Sequence, residues 1–438
     1  MARHIAVIGA GWAGCAAAVE LVDNGHQVTL FEAARTLGGR ARKVDVNGCS
    51  LDNGQHILLG AYTETLRLMQ RVGIDLPSVL LRLPLQMRFP NNTGMDFVTA
   101  RLPAPLNLLM GLLRTKGLNW IDKRALIYFS LAARKIDWTL DTDHSVNILL
   151  RRFKQTDRLV ALLWRPLCLA ALNTPPDEAS AQVFLNVLKD SLGANRASSD
   201  MLLPRQDLTA LFPQRAMHYV MEHGGTIRSG TRVSALDYQA SRWLLSTKND
   251  TSSTFEFEQV VLATDVRNAA TLLTPLMHEA PMPTASFQPI TTCYLQYAET
   301  CRLDAAFYAL VDQPQSAHWG QFVFDRGHLH AEQKGLFAVV ISASAQAQIL
   351  SQNEVSTAIA TQLASVFSRP ELASPVWTKV ITEKNATFSC VPALHRPKNQ
   401  TELPGLVLAG DYTASRYPAT LEAAVRSGVA AAQSLSRF

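Results

Sequence analysis

Three glycines near the start of the chain are the residues best suited to binding a charged ligand. Gly9, Gly11 and Gly14 form G-A-G-W-A-G between an apolar run at 5–8 and a helix-like run at 15–22. The first glycine permits a tight turn, the second lets the backbone approach a pyrophosphate, and the third lets the helix pack on the strand. The helix then offers unpaired N–H groups and a partial positive charge to the anion. This spacing predicts a dinucleotide site.

An acid follows the second strand of this predicted unit. The apolar run 28–31 ends at Glu32, whose carboxylate would accept hydrogen bonds from ribose hydroxyls and disfavour a 2′-phosphate. Gly38, Gly39 and Arg40 come next, where two glycines bring the backbone close to the far side of a pyrophosphate and the arginine adds a charged contact. In nicotinamide enzymes the chain usually runs straight on through the sheet here, so these residues favour FAD over NAD.

The end of the chain holds a second candidate site. A strand-like run at 406–409 ends at Gly410 and Asp411, and a helix is predicted from Leu421 to residue 435. Gly410 allows a close approach of the backbone to the cofactor, and Asp411 could bind ribitol hydroxyls. The helix N-terminus would face the flavin edge that becomes anionic on reduction. Such a junction is common by itself, but together with the N-terminal glycines it indicates a flavin site.

The segment D-N-G-Q-H at 52–56 has two interpretations. D-N-G is a good turn signal, so a purely structural turn is one of them. The other places Gly54 against the flavin ring, with Gln55 and His56 hydrogen-bonded to its edge. In that interpretation Asp52 and His56 are the candidate catalytic residues, as general acid or as the group that orients water.

The length of 438 residues suits two intertwined domains rather than one simple core. We expect an α/β fold with a Rossmann-like FAD-binding domain assembled from discontinuous segments, and a mixed α+β cap domain that binds the substrate. The predicted FAD-binding segments are 1–70, 205–275 and 396–438. The predicted cap segments are 71–204 and 276–395, which are helical over 105–190 and form an antiparallel sheet over about 285–345.

Cysteine usage and charge limit the class of protein. The six cysteines are scattered without a pairing pattern and the histidines lack ligand spacing, which predicts a reducing, cytoplasmic setting and no metal site. Residues 101–170 hold 12 Lys and Arg against 5 Asp and Glu, while the whole chain has a net charge of +5. With no nucleic-acid-binding motif present, we expect no nucleic-acid partner. Basic residues interleaved with large apolar ones at 101–140 favour a helix pair on the inner face of an anionic membrane, and an ordinary helical subdomain is the alternative.

Longer stretches of the sequence carry a family resemblance. They are D-N-G-Q-H-I-L-L-G-A-Y, F-V-F-D-R-G, A-T-F-S-C-V-P-A-L-H-R-P, L-A-G-D-Y-T and Y-P-A-T-L-E-A-A-V-R-S-G. Over essentially its full length the chain resembles the FAD-dependent amine oxidase and phytoene desaturase superfamily, and more narrowly its squalene-associated branch, the hydroxysqualene dehydroxylases. The FAD-binding residues that the motifs and this resemblance together indicate are Gly9, Gly11, Ala13, Gly14, Glu32, Gly38, Gly39, Arg40, Gly54, Gln55, Val233, Gly410, Asp411 and Leu421.

The resemblance also implies a reaction. Hydroxysqualene, a C30 isoprenoid lipid, would react with reduced FAD to give squalene, oxidised FAD and water in hopanoid or triterpenoid biosynthesis. An allylic hydroxyl would leave with help from an acid, and an apolar cavity would shield the resulting cation while the flavin delivers hydride. A carotenoid desaturase working in the opposite direction is an alternative, and a prenyl-lipid carrier without redox chemistry is another. The sequence does not identify the partner that reduces the flavin.

Overall fold

The computed structural model describes residues 2–193, 195–248, 250–277 and 286–436. Its β-strands, in chain order, are β1 (His4–Ile8), β2 (Gln27–Glu32), β3 (Lys43–Val46), β4 (Cys49–Asp52), β5 (Leu58–Leu59), β6 (Leu80–Leu83), β7 (Gln86–Arg88), β8 (Asp96–Val98), β9 (Met201–Pro204), β10 (Thr226–Ser229), β11 (Val233–Gln239), β12 (Arg242–Thr247), β13 (Asp250–Phe257), β14 (Gln259–Leu262), β15 (Phe287–Gln296), β16 (Phe307–Ala309), β17 (Phe322–Asp325), β18 (Leu336–Ser342), β19 (Trp377–Phe388) and β20 (Leu406–Leu408).

The α-helices, in chain order, are α1 (Trp12–Asp23), α2 (Thr63–Arg71), α3 (Leu76–Val79), α4 (Leu106–Arg114), α5 (Trp120–Lys135), α6 (Val146–Arg152), α7 (Asp157–Leu159), α8 (Arg165–Leu172), α9 (Ala181–Leu192), α10 (Arg196–Ser199), α11 (Leu208–Leu211), α12 (Pro213–Glu222), α13 (Val266–Leu273), α14 (Gln352–Phe367) and α15 (Leu421–Ser436). A π-helical turn, Val160–Trp164, joins α7 to α8. Short 3-10 helices lie at Pro90–Asn92, Pro314–Ser316, Arg326–His328, Gln346–Ile349 and Pro370–Ala373.

A parallel sheet forms the α/β part of the molecule. Its strand order is β10-β2-β1-β14-β20, and each neighbouring pair runs parallel. Strands β1 and β14 are almost wholly buried, as expected for parallel strands covered on both faces. The sheet therefore takes strands from the beginning, the middle and the end of the chain, which confirms the predicted α/β fold class.

The first and last helices pack against each other beside this sheet. A Cβ atom on Gly428 of α15 would lie 2.1 Å from the backbone oxygen of Ala13 in α1, so only glycine allows this approach. Both helices are rich in small residues, and their buried side chains belong to one apolar cluster with those of the sheet. This contact brings the N-terminal and C-terminal motifs to the same place.

A second sheet, called the cap sheet here, is antiparallel and has the strand order β16-β17-β18-β15-β19. The predicted start near residue 285 lies outside the described residues, and β15 begins at Phe287. The sheet extends past the predicted end near residue 345, because β19 pairs along β15. Charged side chains such as Lys379 and Glu383 interrupt the apolar alternation of β19, which is why its sequence does not predict a sheet strand.

Alternate residues of β15 face opposite sides of the cap sheet. Cys293 and Leu295 join the apolar cluster under α14, whereas Ile290 and Tyr294 join a cluster on the other face. That second face, with Phe322 and other apolar side chains, is turned toward the segment that follows β4. The helices α4 to α9 fall almost entirely within 105–190, where helical periodicity predicts helices. Within the described residues, no helix combines the length and the hydropathy that are needed to cross a bilayer.

Candidate functional site

Two glycines of the first motif are required by the fold itself. Gly9 has φ +105° and donates its N–H to the carbonyl oxygen of Phe31 at 2.7 Å. A Cβ on Gly14 would lie 1.9 Å from the carbonyl oxygen of Gly9. The tight turn and the close helix packing that the spacing predicts are therefore both present.

Gly11 is different, because the protein itself does not exclude a side chain there. A Cβ on Gly11 would meet only the Cα of Gly39, at 4.0 Å, and Gly11 is the N-cap of α1 without a side-chain capping bond. Gly38 holds the second glycine motif next to this turn, since its N–H donates to the carbonyl oxygen of Ala10 at 2.9 Å. Two glycine backbones thus face an open space at an uncapped helix N-terminus, which fits a pyrophosphate.

Glu32 lies at the mouth of this turn. Its Oε2 accepts the N–H of Ala10 at 2.7 Å, and its Oε1 accepts the N–H of Ala34 at 2.8 Å. The carboxylate is therefore oriented by the backbone and keeps further lone pairs for ribose hydroxyls. Thr231 donates its N–H to the carbonyl oxygen of Glu32 at 2.8 Å, which brings the turn before Val233 beside the same edge.

Arg40 and Asp411 form an ion pair across the site. Nη2 of Arg40 lies 2.6 Å from Oδ1 of Asp411, and Nη1 donates to the carbonyl oxygen of Ala386 at 2.6 Å. Burial opposes the charge of Arg40, but Asp411, together with Glu383 and Asp265, outweighs burial and raises the pKa of the guanidinium. The helix that follows Asp411 begins at Leu421, and Thr420 Oγ1 accepts the N–H of Ala423 at 3.2 Å.

Asp52 is enclosed among protein donors. It is 3% exposed, its Oδ1 accepts the N–H of Leu208 at 2.8 Å, and its Oδ2 lies 3.6 Å from Nη1 of Arg326. Burial raises the pKa of this carboxyl to about 6, while Arg326 acts to lower it. The hydroxyl of Tyr294 donates to the backbone oxygen of Asp52 at 2.8 Å. Each oxygen of the Asp52 carboxylate therefore faces a buried group of the protein, Leu208 or Arg326.

His56 has a more open position. Its Nδ1 lies 2.8 Å from the carbonyl oxygen of Gly54, and because a carbonyl only accepts, the neutral ring carries its hydrogen on Nδ1 and leaves Nε2 as an acceptor. Burial lowers the pKa of His56 although its side chain keeps accessible surface. Tyr62 behaves likewise, since burial raises the pKa of a phenol that is partly accessible and hydrogen-bonded to Thr420. From this combination of burial and remaining accessible surface we infer that both side chains border an internal space, which we call the enclosed space.

Three polar groups in this region were missed by the sequence reasoning. Thr292 is fully buried, its hydroxyl has no partner within the described residues, and a Cβ on Gly54 would lie 3.9 Å from it. The hydroxyl of Tyr412, next to Asp411, is also buried without a partner among those residues. The third is Arg326, whose only sequence signal is its place in F-V-F-D-R-G. Buried hydroxyls without a protein partner among the described residues, one near Gly54 and one next to Asp411, fit contacts to a polar ligand.

The enclosed space borders an apolar cluster on the cap sheet. The buried or half-buried members of this cluster include Leu51, Ile57, Leu59, Tyr294, Phe307, Phe322, Phe324 and Val340. The segment of Gly54 and His56 thus continues directly into this apolar face at Ile57. Such an arrangement can hold an anionic cofactor at one end and a hydrocarbon at the other.

Comparisons with known proteins agree with this geometry. A hydroxysqualene dehydroxylase from Sinorhizobium fredii is 28% identical over 445 residues, which cover 99% of this chain and 98% of that protein. A 15-cis-phytoene desaturase from Capsicum annuum is 25% identical, over 99% of this chain and 77% of that protein. An oxidoreductase structure from Methanosarcina mazei has the same fold, with a TM-score of 0.74 and 16% identity over 98% of this chain and 100% of that one.

The family profile described as flavin containing amine oxidoreductase matches residues 12–436, which is nearly the whole chain. The match begins at the first residue of α1, just after the turn at Gly9 and Gly11, and it includes the antiparallel sheet and the last helix. The chain therefore belongs to the flavin-containing amine oxidoreductase family, and its cofactor is FAD.

Proposed function

We propose that the protein removes the hydroxyl group of hydroxysqualene to form squalene. The observation that carries this proposal is the neutral, enclosed His56 at the point where its segment continues into the apolar face of the cap sheet. The likeness to a hydroxysqualene dehydroxylase over 99% of the chain supports the choice of substrate. FAD, when reduced, would supply the two electrons as a hydride. A C–O bond breaks, a C–H bond forms, and the hydroxyl leaves with a proton as water.

The FAD-binding domain of this proposal is built from residues 1–70, 205–275 and 396–438. These segments contain every strand of the parallel sheet that the described residues form. The other segments, 71–204 and 276–395, hold the cap sheet and the helices around it. All of the predicted FAD contacts lie in the first three segments, and Gly54 and Gln55 lie next to Thr292 and Arg326 of the other part.

His56 is the group proposed to act on the substrate. In the neutral ring Nε2 accepts a hydrogen bond, so it can hold the substrate hydroxyl, and as an imidazolium it donates the proton with which that hydroxyl leaves. Asp52, the other predicted catalytic residue, has its carboxylate turned to Leu208 and Arg326. Its proposed role is therefore to support this segment rather than to touch the substrate.

The basic helix pair is proposed to lie on the membrane from which a C30 lipid is taken. Trp120 and Ile121 at the start of α5 are 71% and 70% exposed, and Leu131 is 61% exposed. Leu106 on α4 is 55% exposed, and basic residues of the same segment such as Arg124 are exposed too. Apolar side chains surrounded by cations fit the surface of an anionic bilayer.

The direct test is a single turnover under anaerobic conditions. We expect that the holoprotein, reduced and then mixed with hydroxysqualene, forms one squalene for each FAD that is reoxidised. His56→Gln should retain FAD and lose most of this reaction, whereas His395→Gln, at an exposed position, should keep it. The likeness to a phytoene desaturase makes the reverse direction the second candidate. Desaturation of phytoene by the oxidised holoprotein, without squalene formation by the reduced one, would overturn the proposal.

A further inference from the structure

Arg326 places a positive charge inside the protein, where it is 1% exposed. It follows strand β17 and begins a 3-10 helix whose turn is fixed by the preceding residue. Asp325 caps this turn, because its carboxylate accepts the N–H groups of Gly327 and Leu303, each at 2.9 Å. Burying a guanidinium costs several kcal/mol unless its donors are all paired. The position of Arg326 is therefore fixed, and its effect depends on the groups around it.

The groups around Arg326 present acceptors to it. Nη1 donates to Oε1 of Gln55 at 2.7 Å, Nε donates to Oε1 of Gln333, and Nη2 donates to Nε2 of His330 at 3.1 Å. The carboxylate of Asp52 lies 3.6 Å from Nη1. Because a guanidinium has donors and no acceptor, both glutamines must turn their carbonyl oxygens toward it. Arg326 thereby decides where the two amide NH₂ groups point.

The two glutamines differ in what their NH₂ groups reach. Nε2 of Gln333 donates to the carbonyl oxygen of Ser50 at 2.8 Å, and Gln333 is 4% exposed. Nε2 of Gln55 has a contact of 3.5 Å with the carbonyl oxygen of His56, at the limit for a hydrogen bond, and Gln55 keeps accessible surface. Gln55 therefore retains donor capacity beside Gly54 and His56, which border the enclosed space.

We propose that Arg326 is a positioning residue that orients the amide of Gln55 so that its NH₂ group donates a hydrogen bond to the flavin ring. A donor at the ring stabilises the negative charge that the ring gains on reduction. The protein should consequently bind reduced FAD more tightly than it would without this pair. The inference rests on the cofactor and on the place of segment 52–57, and it does not depend on the substrate.

Gln55→Glu is the variant that tests this. A carboxylate at residue 55 still pairs with Arg326, but it offers no donor to the flavin. We expect the preference of the holoprotein for reduced over oxidised FAD to fall about tenfold, which is a midpoint potential about 30 mV more negative for a two-electron couple. The measurement is a redox titration of the flavin absorbance without any substrate, together with thermal unfolding of the apoprotein.

Gln333→Glu is the matched control. It makes the same change against the same guanidinium. Because the NH₂ group of Gln333 donates to the backbone of Ser50, the preference for reduced over oxidised FAD should change less than twofold. Arg326→Lys keeps a charge but loses the planar guanidinium that orients both amides. Its midpoint potential should lie between those of the wild type and Gln55→Glu. A folded Gln55→Glu protein that loses FAD, beside a Gln333→Glu protein that retains it, would also support the contact.

Two results would overturn the inference. One is an unchanged potential in folded Gln55→Glu protein, and the other is an equal shift in both glutamate variants, which would indicate charge alone. Should Gln55→Glu fail to fold, Gln55→Leu removes the donor without adding a charge and supplies the same measurement. Squalene formation plays no part in these readouts, so failure here leaves the proposed reaction standing, and failure of that reaction leaves this inference standing.

Discussion

Arg40 and Asp411 are 371 residues apart in the chain, and their side chains meet at 2.6 Å. The sequence predicts each of them as a separate ligand of FAD, one for the pyrophosphate and the other for the ribitol. In the structure the two side chains are also each other's partners, at the junction of the second glycine motif and the last strand. The pair therefore orients both side chains before the cofactor binds, which reduces the entropy that binding would cost.

This pairing predicts coupled effects on FAD affinity. Arg40→Met should weaken FAD binding at least tenfold, because a charge-assisted contact near the pyrophosphate is worth about 1.5–3 kcal/mol. Asp411→Asn should weaken it less, and the double variant should lose less than the sum of the two. Fluorescence titration of the apoproteins with FAD measures all three. Arg71→Met with Asp23→Asn, an exposed pair at 2.7 Å, is the control and should leave the affinity unchanged. Strict additivity at Arg40 and Asp411 would contradict the coupling.

Three glycines should separate cofactor binding from folding. Gly11→Ala adds a Cβ that meets nothing closer than 4.0 Å in the protein, so the apoprotein should keep its stability while FAD affinity falls. Gly14→Ala and Gly428→Ala each bring a Cβ within about 2 Å of a backbone oxygen and should destabilise the apoprotein by several kcal/mol. Urea unfolding of the apoproteins, followed by FAD titration of those that fold, gives both quantities. Unchanged FAD affinity in folded Gly11→Ala protein would contradict the assignment of this space to the cofactor.

The proposed acid predicts a pH profile for dehydroxylation. Burial lowers the pKa of His56 below its ordinary value of about 6.5. If the imidazolium donates the proton, the single-turnover rate should rise as pH falls through that lowered pKa. His56→Gln should abolish this rise, whereas Asp52→Asn should retain it. Loss of the rise in Asp52→Asn alone, with an inflection near 6, would transfer the acid role to Asp52.

His330 should make the protein less stable in acid. Burial, followed by the charge of Arg326, lowers its pKa to about 4, below the value of about 6.5 in the unfolded chain. The folded state therefore loses stability as pH falls from about 6.5 toward 4, on the order of 2 kcal/mol at pH 5. Asp52, with a pKa raised to about 6, acts in the opposite sense over the same range, so the comparison must be made between variants.

His330→Gln isolates this contribution. Its amide oxygen can still accept from Arg326, but it does not titrate. Between pH 7 and pH 5 the free energy of unfolding should decrease by about 2 kcal/mol less than in the wild type. Urea unfolding at the two pH values measures this difference. The exposed His218→Gln should follow the wild type. A His330→Gln protein with the wild-type slope would show that this ring is not the source of acid lability.

The proposed membrane surface predicts binding to anionic vesicles. Trp120→Ser with Ile121→Ser should reduce co-sedimentation with phosphatidylglycerol vesicles at least tenfold, because about 25 cal/mol is lost for each Å² of apolar surface that no longer enters the bilayer. Ile349→Ser with Val376→Ser removes residues that are 86% and 75% exposed elsewhere, and it should leave binding unchanged. Equal losses in both double variants would mean that the helix pair is not a specific surface.

Local sequence patterns were sufficient to predict the main elements of the parallel sheet and its helices. Strand β1, the glycine turn, α1 and Glu32 were all predictable, because apolar periodicity and glycine geometry act over a few residues. The last strand and α15 were predictable for the same reason. The charged strand β19 was not, since its pairing with β15 overrides its own weak pattern.

The sequence by itself determined the class of ligand, because Gly9, Gly11 and Gly14 have one common use at that spacing. What only the tertiary structure decided is which polar groups meet. Asp52 lies against Arg326 and Arg40 against Asp411, and Gln55 is oriented by a residue 271 positions away. No local pattern contains these pairs, because contacts between distant segments depend on how the two sheets pack rather than on the propensity of either segment.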